Sequence, residues 1–215
     1  MPVTRTERPL RADARDNLRR LLEAARDVFI DQGAGAPLDE IARRAGIGIA
    51  TLYRRFPDRQ TLIRAVTLDA LRRSADEARQ AAATEQDPFS ALASYMHGAI
   101  DARTAAVIPA LLSVIDFDDE EIAQAREDGG ATLNALVDAA RDAGALRADV
   151  TAGDIGMLIV RMTRPLPGPI PAEVNSSLGH RHLALLIEGL RSTAREPVLP
   201  GPGLTFTDLR GLETP

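Results

Sequence analysis

An all-α fold is predicted, with an N-terminal helix-turn-helix domain, a C-terminal helical bundle and about nine helices, and three observations carry it. Apolar residues recur along the chain at the i, i+3, i+4, i+7 spacing of a single helix face. No strand-like alternation persists anywhere. Between Leu38 and Leu62 two short helical patterns stand back to back, parted only by Gly46-Ile47-Gly48-Ile49. A connection that short and glycine-containing forces the second helix to cross the first steeply.

Leu38, Ile41, Ala42 and Ala45 make the apolar stripe of the first of these helices, and Leu52 and Phe56 that of the second. Side chains advance around a helix with its 3.6-residue period, so Ala50, Thr51 and Arg54 point away from Leu52 and Phe56, with Tyr53 and Arg55 on the flanks. Small, hydroxyl and guanidinium groups on a short exposed helix suit a DNA major groove. Arg matches the O6 and N7 of guanine with two hydrogen bonds, and hydroxyls reach phosphates or bases.

Taken in order, residues 1–12 read as a flexible basic arm carrying Arg5, Arg8 and Arg11. Residues 13–82 form the expected DNA-binding domain with its connecting helix. Its first helix starts near Asp13 or Asp16 and ends at Gly33, with Leu18, Leu21, Leu22, Ala25 and Phe29 inward. Pro37 is tolerated at a helix start, and Asp39 and Glu40 favour the positive end of the next helix. After Pro57, Asp58 caps a helix over about 59–82, and Arg59 in its first turn is placed for a phosphate.

A break at Thr84-Glu85-Gln86-Asp87-Pro88 opens a second domain over residues 83–195. Phe89 to Ala106 reads as an amphipathic helix, Val107 to Ile115 as a short apolar stretch, and Ile122 to Ala143 as a long helix expected to kink or break at Gly129-Gly130. The acidic run Asp118-Asp119-Glu120-Glu121 is read as the start of that helix and not as a cation site. A further helix spans about 152–164 with Ile155, Leu158, Ile159 and Met162 on one stripe. The Pro-rich stretch Pro165 to Pro171 cannot be helical. Beyond it Gly179, His180, Leu183, Leu186, Ile187 and Leu190 form another stripe, which either closes the protomer's own core or meets a partner. His180 and His182 read as interfacial or solvated. Residues 196–215 form a Pro/Gly-rich tail.

Composition narrows the function. With no Cys there is no disulfide, thiolate metal site or cysteine nucleophile. No signal-peptide pattern and no run of 18 apolar residues occurs, so a cytoplasmic protein without membrane contact is expected. Residues 1–75 carry 15 Arg against 10 Asp and Glu, and residues 76–215 carry 11 against 21. A basic N-terminal part is what phosphate neutralisation requires. No nucleophile elbow, phosphate loop, zinc spacing or paired-carboxylate signature points to an enzyme, a cofactor or a metal.

One ordered set of residues resembles the DNA-binding domain of the tetracycline-repressor (TetR) family. It is Phe29-x-x-x-Gly33, then Ile41-Ala42-x-x-Ala45-Gly46, then Thr51-Leu52-Tyr53-x-x-Phe56-Pro57, then Arg59 and Leu62, over about the first third of the chain. The family often has Ser where Gly48 stands, and a polar residue or Pro at Ile49. The resemblance implies a DNA-contacting set of Gly48, Ile49, Ala50, Thr51, Tyr53, Arg54, Arg55 and Arg59. It also implies a homodimer formed by the last two helices, through Ile155, Leu158, Ile159, Met162, Leu183, Leu186, Ile187 and Leu190. An unidentified small-molecule effector is expected between the C-terminal helices, near Met96, His97, Ile100, Arg103, Leu133, Val137, Met157 and Arg161. The function so implied is a repressor released from a pseudo-palindromic double-stranded operator. The alternatives are an activator or ligand-independent regulator of the same fold, or a helical module that binds protein and not DNA.

Overall fold

The computed structural model describes residues 7–164, 168–193, 199–201 and 203, with side chains described from Asp16 onward except at Ala172. Among these residues there are nine α-helices, one 3-10 turn and no strand. They are α1 (Glu7–Gln32), α2 (Leu38–Ala45), α3 (Ile49–Arg55), α4 (Arg59–Thr84), α5 (Pro88–Ala102), a 3-10 turn (Thr104–Ala106), α6 (Val107–Leu111), α7 (Glu120–Asp142), α8 (Ala152–Met162) and α9 (Ala172–Leu190).

Two compact units divide the chain, one of residues 1–69 and 107–117, the other of residues 70–106 and 118–215. The border between these units lies at 69/70, where 82/83 was expected from the sequence. It falls inside α4, whose unbroken backbone hides it from any reading of linkers. Within the first unit α6 packs on α1, and Gln60 Nε2 donates to the Val114 carbonyl at 2.9 Å, so the short apolar stretch 107–117 returns to the N-terminal helices. The core of this unit is Leu21, Ala25, Val28, Phe29, Ile41, Leu52, Leu62, Ile63 and Leu111, all under 3% exposed.

α1 begins at Glu7, six residues or more before the expected start. Pro9 lies in its first turn, where a missing N–H costs nothing, and the Arg, Ala and Leu residues that follow favour helix. Of the expected arm, residues 1–6 lie outside the described residues. The α1 terminus matches expectation: Gly33 at φ 79° closes it, its N–H donating to the Phe29 carbonyl.

The second unit is organised on α5, against which α7, α8 and α9 all pack. Asp87 caps α5 by accepting from the Ser90 N–H at 2.8 Å, with Pro88 at the first helical position. Phe89, Leu92, Tyr95, Met96 and Ile100 then enter a cluster with Leu133, Val137, Ile155, Ile159, Leu183 and Ile187. α5 stops at Ala102, four residues short of the expectation, because Arg103 turns left-handed at φ 52°. α7 runs unbroken through Gly129-Gly130, so the expected break is absent; buried Ile122 and Ala125 before the glycines and Leu133 and Leu136 after them hold both halves. The acidic run is indeed a helix start: Asp119 accepts from the N–H groups of Glu121 and Ile122. Thr151 and Asp154 form a reciprocal capping box on α8. Beyond α9, Ser192 N–H donates to the Ala145 carbonyl and Arg147 N–H to the Leu190 carbonyl, which ties the end of α9 to the α7–α8 turn. Of the expected tail, residues 196–198, 202 and 204–215 lie outside the described residues.

Candidate functional site

The turn between α2 and α3 is set by Gly46. Its φ of 69° lies in the left-handed region, while a Cβ there would meet nothing within 4 Å, so conformation and not crowding requires glycine. Gly46 N–H donates to the Arg43 carbonyl and Ile47 N–H to the Ala42 carbonyl, which is the Schellman closure of a helix end. α3 follows at once with Gly48 at its N-cap and no side-chain cap. Seven residues are too few for a helix to stand alone in water. It is held by Leu52, fully buried, and by Phe56 just past its end, 6% exposed.

The opposite face is open. Ala50, Thr51, Arg54 and Arg55 are exposed, as are Ile49 at 40% and Tyr53 at 49%. α3 carries no acidic side chain. Arg54 makes only a long 3.5 Å contact with the Thr51 hydroxyl, one turn back, leaving its guanidinium able to swing outward. On α2 the balance differs. Glu40 accepts from both Arg43 and Arg44, and these hydrogen bonds, Arg43's foremost, lower its carboxyl to about 2. Arg43 and Arg44 are thus partly neutralised, and the uncompensated positive charge of the motif sits on α3.

The structure gives Arg59 a task that sequence reasoning missed. Its Nη1 donates to the carbonyls of Ala34 at 2.9 Å and Ala36 at 2.6 Å, fastening the start of α4 to the α1–α2 turn. Asp58 caps the same helix by accepting from Thr61 N–H and Oγ1. Sequence separation of more than 20 residues hides this tether.

In the second unit several expected site residues are placed otherwise. Met96, Ile100, Leu133 and Val137 are packed in the core of this unit at 0–8% exposure. Arg103 is the left-handed cap of α5, Arg161 is exposed, and Met157 is half-buried. A groove of about 510 Å³ lies on the last turns of α4, the start of α5 and the middle of α7. Its floor is Ala78, Ala82, Ala83, Ala91, Ala135 and Ala139, with Arg79, Glu85, Gln86 and Thr132 supplying the polar edge. Alanines four apart on two helices are the sequence signal for it, since small side chains leave space where larger ones would fill it.

The residues of the expected dimer stripe differ in burial within the protomer. Ile155, Ile159, Leu183, Ile187 and Leu190 are buried in the protomer's own core at 0–9% exposure. Leu158 and Met162 are half-buried against that core. Of the eight residues, only Leu186 is exposed, at 37%; Leu185 at 65% and Val174 at 48% join it on the outward face of α9. Both faces of α9 carry leucines, so periodicity alone could not choose the buried one. His97 and His180 are joined, Nδ1 to Nδ1, at 2.8 Å, while His182 is exposed.

Two protein-family models match the chain: bacterial regulatory proteins of the tetR family over residues 21–66, and the C-terminal domain of SbtR-like transcriptional regulators over residues 87–192. A TetR transcription regulatory protein of Mycobacterium vanbaalenii is 38% identical, with a TM-score of 0.61 over 85% of this chain and 99% of that one. A TetR transcriptional regulator of Streptomyces coelicolor is 31% identical, with a TM-score of 0.60 over 82% and 99%. LfrR of Mycobacterium smegmatis, solved in complex with proflavine, shares the fold at 20% identity and a TM-score of 0.55, over 80% and 96%. An HTH-type transcriptional regulator of Staphylococcus aureus (strain USA300) is 39% identical over 54 residues, which are 25% of this chain and 29% of that protein. The chain therefore matches less than a third of the length of such curated relatives.

Proposed function

The chain belongs to the TetR family of bacterial transcriptional regulators, and on that footing we propose that it is a repressor that reads a two-fold operator with α3 and releases it on binding a small molecule. The observation that carries the reading is the face of α3: Thr51, Tyr53, Arg54 and Arg55 stand exposed on a seven-residue helix with no carboxylate, backed by buried Leu52. A face of that composition approaches base edges and phosphates without an opposing charge. Gly48, Ile49 and Ala50 contribute closeness, since none carries a polar side chain that must be desolvated.

Dimerisation is part of the proposal. The exposed Val174, Leu185 and Leu186 of α9 supply an apolar surface for a second copy, and a two-fold protein calls for an inverted repeat with half-sites about 34 Å apart. The effector is assigned to the alanine-floored groove of the second unit, whose apolar floor and sparse polar edge suit a mostly apolar small molecule. LfrR, which shares the fold, was solved in complex with proflavine, which supports a small-molecule effector. No helix of the described residues is long and apolar enough to cross a membrane, and the cytoplasm, where bacterial DNA lies, is the proposed place of action.

Genomic fragments retained by the purified protein, sequenced and then rebound at several salt concentrations, test the reading. An inverted repeat is expected, with affinity falling steeply in log salt. Retention of no fragment above background, or a flat salt dependence, would sink it in favour of a protein-binding module.

A further inference from the structure

We propose that His97, His180 and Asp101 form a proton-controlled clasp that seats the first half of α9 on α5, closed while at most one imidazole is charged and open when both are. The three groups lie in a line. His97 Nδ1 is 2.8 Å from His180 Nδ1, and His180 Nε2 is 2.7 Å from Asp101 Oδ1. The rings are nearly parallel, at 15°, with centroids 5.1 Å apart. His180 stands between two partners and uses its opposite ring nitrogens for them, so the groups do not converge on a point as metal ligands do. The arrangement is a relay of hydrogen bonds.

Two ring nitrogens in contact share one hydrogen. With both rings neutral, His180 donates its Nε2–H to the carboxylate and accepts at Nδ1 the Nδ1–H of His97, so every contact is satisfied. A first proton taken from solvent is accommodated too. The proton enters at His97 Nε2 as the Nδ1 proton of His97 passes to His180, which, now an imidazolium against Asp101, donates its Nδ1–H back to His97 Nδ1. A second proton sets N–H against N–H with no acceptor between them. The contact then opens, because two positive rings cannot remain at 2.8 Å.

What the clasp holds is visible in the burial of α9. Among described side chains of residues 173–182 none is buried, whereas Leu183, Ile187 and Leu190 anchor the second half of the helix. The half that His180 attaches thus has no fully buried side chain among the described residues to anchor it. The charges acting on His97 come from His180 on α9 and Asp101 on its own helix. On the other helices packed against α5, Arg141 of α7 is engaged with Asp138 and the Val150 carbonyl, and Asp154 of α8 with Thr151. Arg181 and His182 on α9 are exposed, and the 3-10 turn brings no charge. Burial first, and the His180 charge second, lower the His97 imidazole from its ordinary value, and Asp101 opposes them. A depressed folded-state value means that the unfolded chain binds the proton more readily. The stability is therefore fully present above about pH 6.5 and is lost as the pH falls through the lowered folded value.

The test combines proton NMR of the imidazoles with hydrogen exchange of α9, and it does not depend on whether the protein binds DNA. The sequence has three His, and the variants His97→Asn and His180→Asn assign two of the resonances. His97 is expected to titrate below about 6.5 in the native protein and to move upward in His180→Asn, where the second of its two lowering influences is gone. Protection of amides 173–182, corrected for intrinsic exchange, is expected to fall by up to about tenfold per pH unit below His97's ordinary value. Asn at 97 offers either an N–H or a carbonyl to His180 at every pH, so His97→Asn should keep that protection constant. Equal loss of protection in His97→Asn and the native protein, or protection indifferent to pH in both, overturns the clasp. So does a His97 titration unchanged by His180→Asn.

Discussion

Of the seven residues of α3 only Leu52 is buried, whereas α5 buries Phe89, Ala91, Leu92, Tyr95, Met96, Ala99 and Ile100 along its fifteen. The short helix is positioned by its neighbours and leaves most of its surface exposed, the surface proposed for recognition. The long one is the packing centre of its unit, and its sequence answers to the core. In α5, substitution should act on folding. In α3, it should act on binding, provided Leu52 and the turn at Gly46 are left alone.

The largest expected effect lies on the α5 side. Phe89 is 1% exposed and carries the Arg191 guanidinium 4.2 Å from its ring centroid. Phe89→Ala should cost about 3–5 kcal/mol, through the cavity it leaves and the lost cation–π contact. Urea unfolding checks it. A loss under about 1 kcal/mol would mean that the second unit is not organised on α5.

Arg59 comes next and blurs the contrast usefully, since it stands beside the recognition helix yet does structural work. Arg59→Ala removes two donations to the Ala34 and Ala36 carbonyls, which should cost about 1.5–3 kcal/mol. Binding to operator and random DNA should weaken together, and Arg59→Lys should restore only part of the stability, because one ammonium does not reproduce a guanidinium fork. Stability unchanged in Arg59→Ala would return this side chain to a purely phosphate-binding role.

Gly46→Ala is a smaller change at the point where the two helices meet. The new methyl has open space, so the cost is that of a left-handed Ala alone, about 1–2 kcal/mol. Thermal melting should show that loss with DNA affinity reduced only as far as α3 is reoriented. A variant as stable as the native protein would mean that the turn relaxes to a negative φ.

These cases also mark what was legible before the structure. The helix-turn-helix was, because its apolar stripes, its left-handed glycine and its exposed Arg and Thr are local and repeat with the helix period. The Gly33 terminus and the acidic start of α7 were legible for the same reason. Arg59's carbonyl partners, the return of Val107–Leu111 to α1, and the His97 to His180 contact were not, since each joins residues more than 20 apart and leaves no period in the sequence. Which stripe of α9 is buried in the protomer was not legible, because leucines stand on both of its faces. The large apolar side chains that suggest a pocket also fill a core, as Met96, Ile100, Leu133 and Val137 do, while the groove on α4, α5 and α7 is floored by alanine.

The smallest expected effect on folding, paired with a sharp effect on recognition, belongs to Arg54. It is exposed, on the face of α3 opposite Leu52, and its 3.5 Å contact with Thr51 is too long to contribute much. Arg54→Ala should therefore change stability by less than about 0.5 kcal/mol, as surface substitutions away from packed features do. On the operator it should cost about 1–3 kcal/mol and relax the preference at one base pair in each half-site, with a lesser effect on random DNA. A phosphate contact would leave another signature: both affinities would fall alike and the salt slope would flatten by about one unit per chain. Titrations of native and variant protein on operator and scrambled duplexes, at several salt concentrations, separate the two. If both affinities drop equally, Arg54 holds the backbone, and the reading passes to Thr51, Tyr53 or Arg55 on the same exposed face. If neither drops while stability is unchanged, α3 is not the helix that meets DNA, and the division of labour between α3 and α5 fails at its functional end.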